Sequence, residues 1–318
     1  MWKRPMLYLD EQTVRELLPM SEAVRRMREV FLALADGKAQ NQPRRRLALP
    51  TGAVLHSMAG AWGSWFGTKV YSTHAQHGAH FYFLLCEAAT ARPLALLEAN
   101  WLGQIRTGAA SGLASDLLAL PSAGRVGLIG SGFQARSQLE AIAAVRRIER
   151  VTVWSRKRER CVAFADECSQ TLGVTVTAAG SAEEAVAGAE IVVTATNARE
   201  PVLEAGWIAP GTHVNAIGSN QAQRRELPAD LVRAAGLIAV DSIEQAKIES
   251  GDLLLALAPE EWSDRRIVEL SDVTAGRVGR ADAAQVTIFK SNGLGVEDVA
   301  AAALVYQRAV EQGIGREL

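Results

Sequence analysis

The stretch VGLIGSGFQARSQL, Val126 to Leu139, places glycine at 130 and 132 and alanine at 135, between an apolar run and a helical one. Small residues at this spacing suit diphosphate binding. Gly130 permits a tight turn, Gly132 lets backbone approach a pyrophosphate, and Ala135 lets the helix pack closely on the strand. The helix start then offers amide donors and a partial positive charge to the phosphates. The second strand of such a unit selects the dinucleotide, since NAD-specific sites place a carboxylate there for the ribose hydroxyls. Here VTVWSRKRER carries Ser155 and Arg156, with Lys157 and Arg158 behind them. A carboxylate would repel a 2′-phosphate, whereas serine and arginine can bind one. NADP is therefore favoured, with NAD as the alternative. The same basic run also reads as a solvated loop, in which Glu159 would fit.

Metal chemistry has less to rest on. His74, His77 and His80 in YSTHAQHGAH lie along an expected turn, without cysteine or carboxylate at ligand spacing, so no metal site is expected. Cys86, Cys161 and Cys168 form neither a metal pattern nor an even-numbered disulfide framework, and read as reduced thiols.

These residues must be positioned by a chain of 318 residues, long enough for two domains of ordinary size. Its 34 basic and 35 acidic residues give a net charge of −1, so no global field draws it to nucleic acid or an anionic membrane. No stretch approaches the roughly 20 apolar residues of a membrane helix. The start MWKRPMLYLDEQ meets proline and acidic residues before an apolar run develops, which argues against a secretory signal and for the cytoplasm.

Ser21 is placed to cap a helix running to about Asp36, with Val24, Met27, Phe31 and Leu34 on one face. From Gln42 to about Glu98, short alternating runs between turns predict mostly antiparallel sheet. Helical signal returns at Gly108–Leu120, and Pro121 to Gly124 breaks the chain. Strands are then expected at Val126–Ile129, Val151–Trp154, Val174–Thr177, Ile191–Thr194, His213–Ala216 and Leu237–Val240, with helices between most of them. One helix opens on Ser181 and Glu184 as a capping box. This alternation predicts an α/β fold, a doubly wound parallel Rossmann sheet with a second α+β domain. A last helix is expected at about Val296–Glu311, stopping at Gly313.

Read together, QPRRRL, LHSMAG, GTKVYS, GQIRTGAASGLAS, GSGFQA, VNAIGSNQAQRREL and TIFKSNGLGVEDVAAA resemble the ornithine cyclodeaminase/mu-crystallin family over nearly the whole chain. The resemblance implies a substrate-binding and dimerisation domain, residues 1–120 plus 290–318, and a Rossmann domain, 121–289. It implies a homodimer joined through the substrate-domain sheets. It also implies that basic residues hold a substrate carboxylate: Lys69, Arg106 and an arginine of QPRRRL. Pro-Arg pairing selects Arg44, with Arg45 or Arg46 as alternatives if the strand register differs. Implied cofactor contacts are Phe133, Gln134, Ser155, Thr196, Val214 to Ile217, Arg224 and Ser291, with Asn292 facing the substrate.

Two departures bear on the chemistry. Family members that cyclise ornithine carry an aspartate where this chain has Asn220, and a glutamate where it has His56. Asparagine neither accepts a proton nor carries charge for a second amino group, so ornithine cyclisation is not favoured. With a carboxylate anchored, the carbon exchanging hydride is naturally the α-carbon, and the bond interconverted is amine to imine. The expected activity is reduction of a cyclic imino acid, or oxidation of an amino acid by the same step. The alternatives are the full cyclodeaminase cycle and a non-catalytic NADPH-binding protein. His56 is the candidate proton donor or relay, since imidazole titrates near neutrality; the other reading is a histidine without catalytic duty.

Overall fold

The computed structural model describes residues 5–264 and 266–318. The chain divides into two units, one of residues up to Arg106 together with Gly293–Leu318, the other of Thr107–Asn292. These divisions compare with sequence-based boundaries at 120/121 and 289/290.

The first unit opens with β1 (Leu7–Leu9), α1 (Glu11–Leu17) and α2 (Met20–Ala35). Helix α2 starts one residue before Ser21, after Pro19, and has no side-chain cap. The expected Ser21 cap is therefore wrong: proline's fixed φ already sets the chain up for the first turn. Val24, Met27 and Phe31 are buried as the spacing requires. Five strands follow: β2 (Ala39–Ala48), β3 (Val54–Trp62), β4 (Trp65–His74), β5 (Gly78–Glu87) and β6 (Pro93–Glu98). Together they form the predicted antiparallel sheet. Helix α3 (Asn100–Leu118) carries the chain out of this unit.

The second unit alternates strand and helix: β7 (Arg125–Ile129), α4 (Phe133–Val145), β8 (Arg150–Trp154), α5 (Arg158–Leu172), β9 (Val176–Ala178), α6 (Ala182–Val186), β10 (Ile191–Thr194), β11 (His213–Ala216), α7 (Ala229–Ala234), β12 (Leu237–Val240), α8 (Ile243–Glu249), α9 (Gly251–Leu254), β13 (Ile267–Glu269), α10 (Leu270–Thr274) and β14 (Thr287–Lys290). All pair in parallel, in the order β13-β12-β14-β11-β10-β7-β8-β9. The chain runs outward from β7 through β8 and β9, then returns to the other side of β7 with β10. The topological switch, where open parallel sheets bind ligands, thus lies between β7 and β10. Strands β10, β11 and β12 have the expected bounds. β13 and β14 were not expected, so among the described residues the sheet has eight strands rather than six. Ser181 Oγ accepts from the Glu184 amide at 3.0 Å, but Glu184 reaches back to Gly180 N at 2.7 Å, one residue earlier than a capping box requires.

Finally α11 (Gly295–Gln312) and β15 (Arg316–Glu317) complete the first unit. Helix α11 ends at Gly313, which takes φ +65°. Its sheet has the order β15-β1-β6-β5-β4-β3-β2, and α11 packs on β3 and β4. Among the described residues, no helix is long and apolar enough to cross a membrane, and no group of three or more His, Cys, Asp or Glu could hold a metal. All three cysteines are free and buried.

Candidate active site

In β4, side chains alternate across the sheet, and Gly67, Lys69 and Tyr71 take the buried side. Lys69 sits opposite Met58 of β3 and Phe83 of β5, both buried. A lysine there needs a partner, because an isolated buried ammonium is prohibitively costly. Helix α11 supplies it: Lys69 Nζ lies 2.9 Å from Asp298 Oδ1 and 2.8 Å from Oδ2. Arg106, on α3, donates from Nε to the same Asp298 Oδ1 and from Nη1 to Glu297 Oε2, each at 3.0 Å. Both carboxylates lie in the first turn of α11, where the helix field also favours negative charge.

The arginine triplet separates cleanly. Strand β2 shifts register between Gln42 and Arg45, where Pro43 cannot donate to the ladder. Arg44 is buried, whereas Arg45 and Arg46 are exposed. Arg44 directs Nε to Met58 Sδ at 3.4 Å and Nη2 to the Gly293 carbonyl at 3.4 Å. Arg44, Lys69, Arg106, Glu297 and Asp298 thus form one cluster, none more than 6% exposed. Burial, then the charge of Arg106, lowers the Lys69 pKa to about 8; Arg44 adds to this and Asp298 opposes it. Glu297 and Asp298 were absent from the sequence-based site, since acids in a first helical turn read as ordinary dipole partners.

One row along the sheet, His56 faces Tyr71 across β3 and β4. The rings stack at 4.2 Å and 3°, and Tyr71 stacks in turn on Phe81. Burial, then Arg46 and Arg44, push the His56 imidazole down to about 4. A value this low favours the neutral ring at pH 7, which weighs against a proton-donor role and suits the other reading, a histidine without catalytic duty. As a neutral ring it pairs Nε2 with Thr73 Oγ1 at 3.0 Å.

In the second unit, Gly130 follows β7 with φ +114°, and a Cβ there would collide with the Ala195 carbonyl. Gly132 is the N-cap of α4 and supplies no side-chain cap. A Cβ on Gly132 would meet nothing within 4 Å, so the protein's own packing does not require glycine there. Close approach by a ligand would, and the cradle fits a diphosphate. Ala135 is fully buried, Phe133 exposed and Gln134 half-buried. Ser155, directly after β8, shares a 2.8 Å hydrogen bond with Ser131 of the glycine turn. Arg156 is exposed and reaches Asn197 Oδ1 at 3.1 Å.

Thr196 follows β10, and Ile217 follows β11. Val214 is a fully buried member of the apolar core of this unit, so its contribution is packing beneath the strand ends. Asn220 and Arg224, both half-buried, belong to the segment after β11. Ser291 and Asn292 are held at Asp241, through Ser291 Oγ at 3.4 Å and Asn292 N at 2.6 Å.

The model of the ornithine cyclodeaminase/mu-crystallin family matches residues 5–313. The chain is 39% identical to a Δ1-pyrroline-2-carboxylate reductase of Bacillus cereus over 237 residues, 74% of this chain and 73% of the relative. Among solved structures it resembles the Δ1-pyrroline-2-carboxylate reductase of Thermococcus litoralis in complex with NADH and L-proline. That match has 35% identity and TM-score 0.93, covering 98% of this chain and 100% of the other. An archaeal alanine dehydrogenase dimer with bound NAD matches at 31% identity and TM-score 0.92, with 98% of each chain covered.

Proposed function

The chain belongs to the ornithine cyclodeaminase/mu-crystallin family, and we propose that it reduces a cyclic imino acid with a nicotinamide dinucleotide, or runs the same amine–imine step as an amino-acid dehydrogenase. The observation carrying this reading is the buried cluster of Arg44, Lys69 and Arg106 gathered on Glu297 and Asp298. These five side chains sum to one net positive charge when ionised, so one substrate carboxylate neutralises them. The neighbouring row stacks the His56 imidazole, its pKa lowered to about 4, on the Tyr71 ring. Such a wall suits an apolar ring and offers no anion to a second amino group, as does Asn220.

The dinucleotide, when bound, supplies or takes the hydride. Gly130, Gly132 and the start of α4 would hold its diphosphate, with Phe133, Gln134, Thr196, Ile217, Arg224 and Ser291 as further contacts. Arg44 and Arg106 anchor the substrate carboxylate. Lys69, with its pKa near 8, delivers or accepts the proton of the substrate nitrogen. The test is turnover of five- and six-membered cyclic imino acids, followed by NAD(P)H absorbance. Consumption with at least one of them is expected, and no turnover on any would overturn the reading. Ornithine should yield no proline; proline and ammonia without net cofactor change would show the cyclodeaminase cycle instead.

NADP is the cofactor these residues favour, because Ser155 and Arg156, not a carboxylate, stand directly after β8. Ser155→Asp is expected to raise the KM for NADPH at least about tenfold by repelling the 2′-phosphate, with NADH unaffected or improved. An unchanged NADPH:NADH preference in that variant would contradict the assignment. A homodimer through the first unit's sheet is supported by an exposed apolar face: Leu47 pairs with Leu55, and Val70 with Tyr82. Light scattering should report two protomers per particle; a single-protomer mass would remove this proposal.

A further inference from the structure

Glu226 is fully buried, yet no step described above uses it. Its carboxylate collects four donors. Oε1 accepts from Thr196 N and Thr196 Oγ1, both at 2.7 Å. Oε2 accepts from Thr194 Oγ1 at 3.0 Å and Gly218 N at 2.6 Å. One side chain therefore joins the carboxyl end of β10 to the segment leaving β11. Burial and the neighbouring Asp252 push the Glu226 pKa up, while Lys290 and the bonds from Thr196 oppose them. A buried side chain bonded to two backbone amides and two hydroxyls is held rigidly.

The grip is reinforced from behind. Asp252 Oδ1 accepts from Glu226 N at 2.6 Å and Leu227 N at 2.9 Å. Lys290 Nζ, fully buried, pairs with Asp252 Oδ2 at 3.2 Å and donates to the carbonyls of Ser219 and Ala216. Packing adds a further constraint. A Cβ on Gly218 would collide with Thr196 backbone and Glu226, while one on Gly130 would collide with Ala195. Ala195 and Thr196 are thus wedged between the glycine turn after β7 and Gly218 after β11, and Glu226 pins them there.

This wedge stands at the switch between β7 and β10. In a doubly wound sheet, the first half, here β7 with β8 and β9, takes the adenine side of a dinucleotide, and the strands across the switch take the nicotinamide side. We propose that Glu226 is a positioning residue for the nicotinamide half of the cofactor site, fixing Thr196 and Gly218 as the wall against which that half is ordered. The proposal rests on the dinucleotide reading given above.

Binding, measured by fluorescence or calorimetry, tests it without turnover. Two probes are compared: NADPH, and 2′-phospho-ADP-ribose, which lacks the nicotinamide. Glu226→Gln keeps the size but turns an amide donor toward groups that already donate. It should weaken NADPH about tenfold and change 2′-phospho-ADP-ribose less than twofold. Thr194→Val, within β10, removes one of the four donors and should give the same split at about threefold. Equal losses for both probes would reduce Glu226 to a general structural role, and unchanged NADPH affinity in both variants would also overturn the proposal. If Glu226→Gln fails to fold, the Thr194→Val split decides alone. If the wild-type protein binds neither probe, the same comparison is made with NADH and ADP-ribose, and failure to bind those as well would remove the dinucleotide reading itself.

Discussion

Arg106→Lys is expected to lower kcat/KM for a cyclic imino acid about 100-fold, or ~2.7 kcal/mol at ~1.36 kcal/mol per factor of ten. The charge survives this change, so the loss must come from geometry. Arg106 places Nε on Asp298 and Nη1 on Glu297, which fixes the plane of its fork. A point ammonium cannot hold two acids and a substrate carboxylate at set angles. Arg106→Ala goes further, leaving two buried carboxylates short of a partner, and should destabilise the fold by about 3–5 kcal/mol. A carboxylate-free cyclic imine separates anchoring from folding. Arg106→Lys should change kcat/KM for that compound little, and an equal loss on both substrates would show that Arg106 does not hold the carboxylate.

The parts of this arrangement that sequence revealed are those with local signals. Strands β10 and β12 were legible to the residue because IVVT and LIAV are short, mostly apolar runs between turns, and β11, HVNA, because it falls in the same strand–helix alternation. The glycine turn was legible because φ at Gly130 and close packing at Ala135 are demands of the backbone. Strand β14 was missed for an instructive reason: TIFK ends in lysine, which reads as surface. Lys290 is buried only because Asp252 and two carbonyls from distant segments meet its ammonium. Glu297 and Asp298 were hidden in the same way, since their partners Lys69 and Arg106 lie some 190 residues or more away along the chain. The choice among Arg44, Arg45 and Arg46 depended on the shifted register near Pro43, which alternation alone does not place. His56 was read from its free-solution chemistry, whereas burial beside two arginines lowers its pKa.

The pH dependence of the reaction should be set largely by Lys69. Its pKa, lowered to about 8, leaves it protonated at neutrality and able to give a proton to the product nitrogen. In the reductive direction, kcat/KM should stay level up to about pH 7.5, then fall toward about tenfold per pH unit above 8, because this parameter reports the free enzyme. The limb in kcat should lie at higher pH, since the bound carboxylate adds an anion near Lys69 and offsets Arg106 and Arg44. Amine oxidation should show the opposite slope, rising through pH 8 as Lys69 becomes able to accept the proton. Lys69→Met should lower kcat about 10²- to 10⁴-fold and abolish the limb. A limb unchanged in Lys69→Met would assign it to the substrate's own titration and remove Lys69 from proton transfer. Stability carries its own sign. Between pH 8 and the ordinary value of 10.5 the unfolded chain binds a proton that the folded chain does not. The Lys69 contribution to unfolding free energy therefore rises with pH across that window and is lost as pH falls through 8. Denaturant titrations of wild type against Lys69→Met should show that slope in the wild type alone.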